Sequence, residues 1–141
     1  MDAQAPLDPT TYASVIHFLA AHMRLLDEGK IEEWAAGFAP EGEFASEALP
    51  APVVGRDRIR ESGLQAATHF QQENLHRRHF IAMTGAERLP NGDVIAVSYA
   101  LTLQTEPDAS AAIRHFNICT DLLHPVDPDG WQLVSRSITR P

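Results

Sequence analysis

The sequence predicts an α+β fold, in which a bent antiparallel sheet forms a cone-shaped barrel around three N-terminal helices. Two observations support this fold class. Apolar residues at helical spacing dominate the first half of the chain, and four long strand-like segments joined by turns fill the second half. Because a curved sheet wrapped around helices leaves an apolar interior, we expect a cavity for a small molecule inside the cone.

The first helix is the most strongly patterned element. It is predicted to begin near Thr10, with Thr10 or Thr11 as its cap, and to end at about Asp27, with Gly29 standing where a helix C-terminus favours glycine. Its apolar positions, three and four residues apart, are Tyr12, Val15, Ile16, Leu19, Met23 and Leu26. Residues 1–9 are polar and contain proline, so we expect a flexible arm there, followed by a single domain over residues 10–141.

The other elements follow from their own start and stop signals. A second helix is expected over residues 31–38, ended by Pro40, and a third over residues 55–72. Asn91-Gly92 predicts a hairpin turn because both residues accept positive φ, and residues 127–130 predict a later turn. The predicted strands cover residues 43–46, 76–89, 93–105, 111–124 and 131–139.

Composition and charge exclude several kinds of partner. The net charge is −8 and no block of Lys or Arg is present, which argues against binding to nucleic acid or to an anionic membrane. No apolar stretch approaches the ~20 residues of a membrane span, and no secretion signal is recognisable. Cys119 is the single cysteine and lies in an apolar run, so we expect a core residue in a cytoplasmic protein.

Cofactor motifs are missing from the sequence. It has no phosphate-binding glycine loop and no Gly-x-Ser-x-Gly elbow. His76 and His79 point to opposite faces of a strand, and no cysteine pair exists. We therefore expect neither a cofactor nor a metal.

Strand parity predicts which side chains face together. One face of the first long strand carries Arg77, His79, Ile81 and Met83, and one face of the third carries Ile113, His115, Asn117 and Cys119. One face of the sheet is expected to line the cone. The other is apolar as well, and an exposed apolar sheet is a liability, so we expect a homodimer that covers it. Its apolar residues include Phe80, Phe116, Ile118 and Leu122.

Asp27 and His79 are the main candidates for chemistry. Asp27 closes the first helix and His79 lies among apolar neighbours on a strand. If the fold brings them together, the carboxylate can orient and charge-match the imidazole, which is a general acid/base device. The alternatives are a structural histidine and a solvated helix terminus.

Asn117 is a polar amide within an apolar strand. It could present its NH₂ to a substrate carbonyl or enolate oxygen, or it could form a cross-strand hydrogen bond. Further candidates for contact with a small, apolar, oxygenated substrate are Tyr12, Trp34, Met83, Tyr99 and His115.

Taken together, these segments resemble the nuclear transport factor 2 superfamily, in its SnoaL-like branch. The residues that carry the resemblance are 25–29, Trp34, 38–44, 53–59, 78–81 and 130–133. Scytalone dehydratases of this superfamily have an aspartate twelve residues before an Ala-Pro step, matched by Asp27 and Ala39-Pro40. Their catalytic histidine lies in a His-Phe-Ile segment, matched by His79-Phe80-Ile81, and an active-site asparagine resembles Asn117.

The resemblance implies a cofactor-independent dehydratase, cyclase or isomerase that acts on a polyketide-like or aromatic carbonyl intermediate of secondary metabolism. In that reading His79 moves the proton, Asp27 holds its tautomer and Asn117 steadies the enolate oxygen. The chain departs from the dehydratase pattern at Leu26, where that family has tyrosine, and at His115, where it has serine. Two alternatives stay open, a non-catalytic small-molecule-binding protein and an accessory subunit with the same fold.

Overall fold

The computed structural model describes residues 4–128 and 130–141 and has three helices and seven strands among them. The helices are α1 (Pro9–Asp27), α2 (Ile31–Ala36) and α3 (Arg56–Gln72). The strands are β1 (Ala5–Pro6), β2 (Phe38–Ser46), β3 (Val53–Val54), β4 (His76–Arg88), β5 (Val94–Thr105), β6 (Ala112–Val126) and β7 (Gly130–Thr139). This order of elements confirms the predicted α+β class.

All seven strands form one curved, open sheet in the order β1-β4-β5-β6-β7-β2-β3. The pairs are antiparallel except β2 with β7, which run parallel. The central strands β4 to β7 are joined consecutively, as expected for a meander. The three helices pack on the sheet around one core, to which the buried side chains of Val15, Leu19, Ile31, Trp34, Phe38, Ile59, Val94, Leu123 and Leu133 belong.

The segment before α1 is more ordered than the predicted arm. Ala5–Pro6 pairs with the end of β4, and Asp8 caps α1 by accepting a hydrogen bond from the backbone of Thr11 at 3.1 Å. The helix therefore begins at Pro9, where proline fits the first turn, and Thr10 is not its cap. Residues 1–3 of the expected arm, and Asp129 of the expected turn at 127–130, lie outside the described residues.

The second helix is shorter than predicted, and the strand after it is longer. Helix α2 ends at Ala36, and Phe38, expected to close it, begins β2 instead. Phe38 is completely buried and pairs with Leu133 of β7, whose N–H donates to the carbonyl of Gly37 at 2.8 Å. Tertiary packing of one aromatic side chain thus outweighs the local helical pattern.

A β-bulge in β4 changes the predicted strand parity. Met83 and Thr84 together lie opposite Ser98, and Met83 has a φ of +54°. The Thr84 hydroxyl contacts the Ser98 hydroxyl at 2.8 Å, whereas the Met83 side chain is 78% exposed. The prediction that Met83 shares a face with His79 is therefore wrong, because alternation restarts after the extra residue.

A second bulge has the same effect in β6. The register of β5 with β6 shifts at Arg114, so that His115 pairs with Thr102 and Ile113 with Leu103. Ile113 is 67% exposed and does not share the face of His115, contrary to the parity prediction.

A buried polar network links α1 to the sheet. Arg136 donates two hydrogen bonds to the carboxylate of Asp121, at 2.7 and 3.2 Å, and both side chains are buried. Its third nitrogen group donates to Nδ1 of His22 at 3.2 Å, and Nε2 of His22 donates to the carbonyl of Trp34 at 2.7 Å. Every charge in this network is paired, as burial requires.

Burial in this network shifts the pKa values of two side chains, His22 and Cys119. Burial, followed by the charge of Arg136, lowers the pKa of His22 to about 3, so its ring is neutral in the folded protein. Cys119 lies beside Asp121, and burial raises the pKa of its thiol to about 12. The prediction that Cys119 is a core residue is confirmed.

The neutral state of His22 predicts a dependence of stability on pH. The unfolded ring, with its ordinary pKa of 6.5, binds a proton between pH 6.5 and 3 that the folded ring does not bind. The free energy of unfolding should therefore fall by about 1.4 kcal/mol per pH unit through this group as pH falls below 6.5. In urea unfolding between pH 6.5 and 4, the free energy of unfolding of His22→Gln should depend less steeply on pH, by about 1.4 kcal/mol per pH unit. An unchanged slope would contradict the assignment.

The contact between α2 and α3 depends on Gly63. A Cβ atom added there would lie 2.9 Å from both Ile31 Cγ2 and Trp34 Cζ3, which are buried. We expect Gly63→Ala to lower the free energy of unfolding by about 1–3 kcal/mol through overpacking. Gly85→Ala is the control, because nothing lies within 4 Å of an added Cβ at that strand position. Equal stabilities for the two variants by urea unfolding would show that α2 and α3 are loosely packed.

Candidate active site

The C-terminus of α1 is built to place Asp27. Gly29 adopts a φ of +75°, and its N–H donates to the carbonyl of Leu26 at 3.1 Å, while the N–H of Lys30 donates to Leu25 at 2.9 Å. These two bonds form a Schellman motif, which requires the left-handed conformation that glycine adopts freely. The predicted role of Gly29 is confirmed, and Asp27 becomes the last residue of the helix.

Asp27 and His79 are in direct contact. One carboxylate oxygen accepts from the ring Nδ1 of His79 at 2.6 Å, and the other accepts from its backbone N–H at 2.9 Å. The side chains are 7% and 22% exposed, respectively. A single carboxylate thus holds both the main chain and the ring of His79, and the ring cannot turn without losing one of the two bonds.

The backbone bond is possible because β4 is at an edge of the sheet there. Among residues 4–128 and 130–141, the only strand that pairs with β4 besides β5 is β1, which pairs with Arg88 and Glu87 at the far end of β4. The backbone N–H of His79 points away from β5, so without Asp27 it would have no acceptor. Asp27 supplies its acceptor, so the same contact docks α1 on the sheet edge.

The position of Asp27 is electrostatically unfavourable for the helix itself. A carboxylate at a helix C-terminus faces the negative end of the helix dipole, at a cost of about 0.3–1 kcal/mol when exposed. The contact with His79 offsets this cost. It also fixes the tautomer of the neutral ring: because a carboxylate oxygen only accepts, Nδ1 carries the hydrogen and Nε2 carries the lone pair in that state.

His79 lies at the edge of a cavity of about 740 Å³ enclosed by α1, α2, α3, β2 and the start of β4. Within the described part of the chain, no protein group forms a hydrogen bond with its Nε2. Its apolar lining residues include Leu26, Ile31, Trp34, Phe44, Val53, Ile59, Ala66, Ala67 and Phe70. Its polar lining residues include Gln71, Asn74, His76 and Arg78, which are exposed and mark its opening, and Arg77, which is half-buried. An apolar wall with few polar groups and one imidazole suits a small oxygenated molecule.

The sequence-predicted site residues divide into two groups. Asp27, His79 and Trp34 line the cavity. Asn117 and His115 lie on the inward-facing side of β6, but neither is part of the cavity wall. His115 shares a row with His79 across Thr102. Asn117 shares the next row with Ile81, across Ala100.

The remaining predicted contacts lie away from the cavity. Tyr99 is on the outer face of β5 and is 48% exposed, with its ring against Phe116, and Met83 is exposed at the bulge. The hydroxyl of Tyr12 donates to the carbonyl of Thr84 at 2.6 Å and stabilises that bulge. None of these three residues belongs to the cavity wall, and the substrate contacts expected of them stay predictions.

Sequence reasoning missed the large contribution of α3 to the cavity. Ile59, Gly63, Ala67 and Phe70 recur at spacings of three and four residues along it, and all four line the wall. The small side chains at positions 63 and 67 leave room that larger ones would fill. This alternation of small and large residues along one face of α3 is the sequence signal from which the cavity wall could have been predicted.

Neither a cluster of metal-binding side chains nor a membrane-spanning helix is found among the described residues. Among the described residues, no group of three His, Cys, Asp or Glu side chains lies close enough to hold a metal ion. No helix in residues 4–128 and 130–141 is both long and apolar enough to cross a membrane.

Comparisons with known proteins agree with this fold. ActVI-ORFA from Streptomyces coelicolor is 25% identical and superposes with a TM-score of 0.85, over 94% of this chain and 96% of that one. Aln2 from a Streptomyces species is 24% identical with a TM-score of 0.86, over 96% and 94% of the two chains. A protein from Catenulispora acidiphila, solved in complex with S-DNPA, is 27% identical with a TM-score of 0.79, over 93% and 95%.

The family assignment comes from the sequence itself. None of the curated proteins compared with the chain matches it. The SnoaL-like domain family, however, matches residues 10–137, which include the helices except the first residue of α1 and the strands except β1 and the end of β7. This confirms the resemblance: the chain belongs to the SnoaL-like domain family and has the nuclear transport factor 2-like fold.

Proposed function

We propose that the protein is a cofactor-independent acid/base enzyme, a dehydratase, cyclase or isomerase, that acts on a small polyketide-like or aromatic carbonyl compound. The observation that carries the proposal is the Asp27–His79 contact of 2.6 Å at the wall of the cavity. It leaves the basic nitrogen of an oriented imidazole available to a bound molecule. The S-DNPA complex of a 27% identical neighbour supports a small-molecule site in this fold.

The first step is the removal of a proton. Nε2 of His79 takes the proton from the carbon next to the substrate carbonyl, and the electron pair of that C–H bond moves to the carbonyl oxygen as an enolate. The resulting imidazolium is stabilised by the negative charge of Asp27 on the opposite side of the ring. Exclusion of water by the apolar wall strengthens this stabilisation.

The second step sets the reaction type. In dehydration the enolate re-forms the carbonyl as the bond to a β-hydroxyl breaks, and the imidazolium proton leaves with that oxygen as water. In cyclisation the enolate carbon attacks a second carbonyl of the same molecule, and His79 protonates the new alkoxide. In isomerisation the proton returns to a different carbon. Asn117 lies on β6, two strands away from His79. It would therefore steady the enolate oxygen only of a substrate long enough to extend from His79 to β6.

The first step is shared by all three reactions and can be tested without the natural substrate. We expect the wild type in D₂O to speed exchange of deuterium at the α-carbon of 2-tetralone well above the buffer background, as followed by NMR. His79→Ala should lose at least about a hundredfold of this enzyme-dependent rate, and Asp27→Asn should also lose most of it.

His124 provides a matched control. Its Nδ1 contacts an Asp93 carboxylate oxygen at 2.6 Å, the same distance as in the site pair, but neither residue lines the cavity. His124→Ala should keep the wild-type exchange rate. Exchange no faster than buffer with the wild type, or equal loss in both histidine variants, would contradict the proposal and leave a binding protein or an accessory subunit.

We also propose that the outer face of the sheet seats a second copy of the chain. Three neighbouring strands expose large apolar side chains there, and these are Phe80, Val97, Tyr99, Ile113 and Phe116, each at least 42% exposed. The patch is continuous across β4, β5 and β6, so the same patch on a second copy can pack against it about a two-fold axis.

Sedimentation at about 50 μM should therefore show a dimer, and Phe116→Glu should give a monomer. Val54→Glu is the control, because Val54 is 53% exposed but lies on β3 at the opposite edge of the sheet. A monomeric wild type, or dissociation by both variants, would exclude this interface.

A further inference from the structure

Positive charge collects at the opening of the cavity, although the chain as a whole carries a net charge of −8. Arg77 and Arg78 line the cavity, and Arg114 and His115 of β6 lie close enough to act electrostatically on their surroundings. None of the carboxylates among the described residues forms an ion pair with Arg77 or Arg114. Two arginines that no described carboxylate pairs with, beside an apolar cavity, favour the binding of an anion.

Arg77 is the member of this group that is held in place. Its Nε donates to the side-chain oxygen of Gln104 at 2.9 Å, and its guanidinium lies 4.5 Å from the ring centroid of Phe70. The amide of Gln104 is itself oriented by Glu106. Phe70 is part of the cavity wall, so the guanidinium is fixed by stacking against that wall with its two terminal nitrogens unpaired within the described residues.

The charges around Arg77 favour an anionic ligand. Burial, and next the charge of Arg114, lowers the pKa of Arg77. Burial, followed by the charges of Arg114, Arg77 and His79, likewise lowers the pKa of His115. A bound anion would oppose the repulsion between these like charges.

Three other arginines are less suited to this role. Arg136 is buried and fully engaged by Asp121. Arg140 is exposed and does not line the cavity, and its backbone N–H donates to the carboxylate of Glu47. Arg78 is exposed, and one of its nitrogens donates to the carbonyl of Arg77. Among these candidates Arg77 alone combines a cavity position with a fixed geometry.

Arg77 is also correctly placed relative to His79. The two residues share one face of β4 in an unbroken stretch of register, opposite Gln104 and Thr102 respectively. At about 3.4 Å per residue their Cα atoms are about 7 Å apart. An anion held by Arg77 and a carbon presented to His79 can therefore belong to one small molecule.

We propose that Arg77, supported by Arg114, binds a carboxylate of the substrate and that the protein selects carboxylic acids over neutral molecules of the same shape. This inference rests on the proposed function, since it names the class of molecule that the cavity with His79 takes. The planar guanidinium offers two parallel N–H groups to the carboxylate, which a neutral amide cannot match.

The test compares two probes that differ in one group, 2-naphthylacetic acid and its carboxamide. By isothermal titration at pH 7.5 in 20 mM NaCl, the wild type should bind the acid at least about tenfold more tightly than the amide. Arg77→Gln should remove this preference and leave the affinity for the amide within about twofold. Arg77→Lys should keep part of it, because a lysine retains the charge but not the planar geometry.

Arg58→Gln is the matched control. Arg58 is an exposed arginine on α3 outside the cavity wall, so its removal changes the net charge equally but should leave the preference intact. A second measurement covers the case in which Arg77→Gln does not fold. Raising NaCl to 500 mM should weaken wild-type binding of the acid several-fold and leave the amide unchanged.

Three results would overturn the inference. They are equal wild-type affinities for acid and amide, no measurable binding of the acid at millimolar concentration, and a preference that survives Arg77→Gln. Failure of the proposed function gives a different outcome, because the preference is measured at equilibrium and needs no turnover. A preference for the acid without α-carbon exchange would indicate a carboxylate-binding protein, and exchange without the preference would indicate an enzyme for neutral substrates.

Discussion

The double hydrogen bond from Asp27 to His79 is the constraint on which the site depends. It closes an open backbone position at the edge of β4, docks the end of α1 there and fixes the histidine ring in one tautomer. The backbone bond uses one carboxylate oxygen and the ring bond uses the other, so the two effects together need the whole carboxylate. A helix C-terminus is an electrostatically unfavourable place for an acid. The two hydrogen bonds with His79 offset this cost for Asp27.

The buried network around Arg136 supports that constraint from the other side of the helix. Arg136 holds His22, and His22 is five residues before Asp27 on the same α1. The helix is thus attached to β7 through one histidine and to β4 through its terminal carboxylate. Stacking of His22 between Phe18 and Trp34 connects this attachment to the cavity wall. Fixed on two strands, α1 can hold Asp27 in register with His79.

The sequence allowed the fold to be predicted more fully than the site. Helical spacing and turn residues located the helices and the long strands, because those signals are local. The Asp27–His79 contact spans 52 residues and was predicted through family resemblance, since no local rule pairs a helix end with a strand edge. Met83 and Ile113 were misplaced because a bulge inverts parity without a reliable local signal. Phe38 was misplaced because its burial against β7 is a tertiary effect.

The protonation of His79 tests the central claim most directly. Long-range ¹H–¹⁵N NMR of the protein labelled at histidine nitrogens distinguishes a ring nitrogen that carries hydrogen from one that carries a lone pair. The structure predicts that the neutral ring of His79, identified by the loss of its signals in His79→Gln, carries its hydrogen on Nδ1 and its lone pair on Nε2. A neutral His79 ring with its hydrogen on Nε2, or one that exchanges between tautomers as an unrestrained imidazole does, would contradict the account.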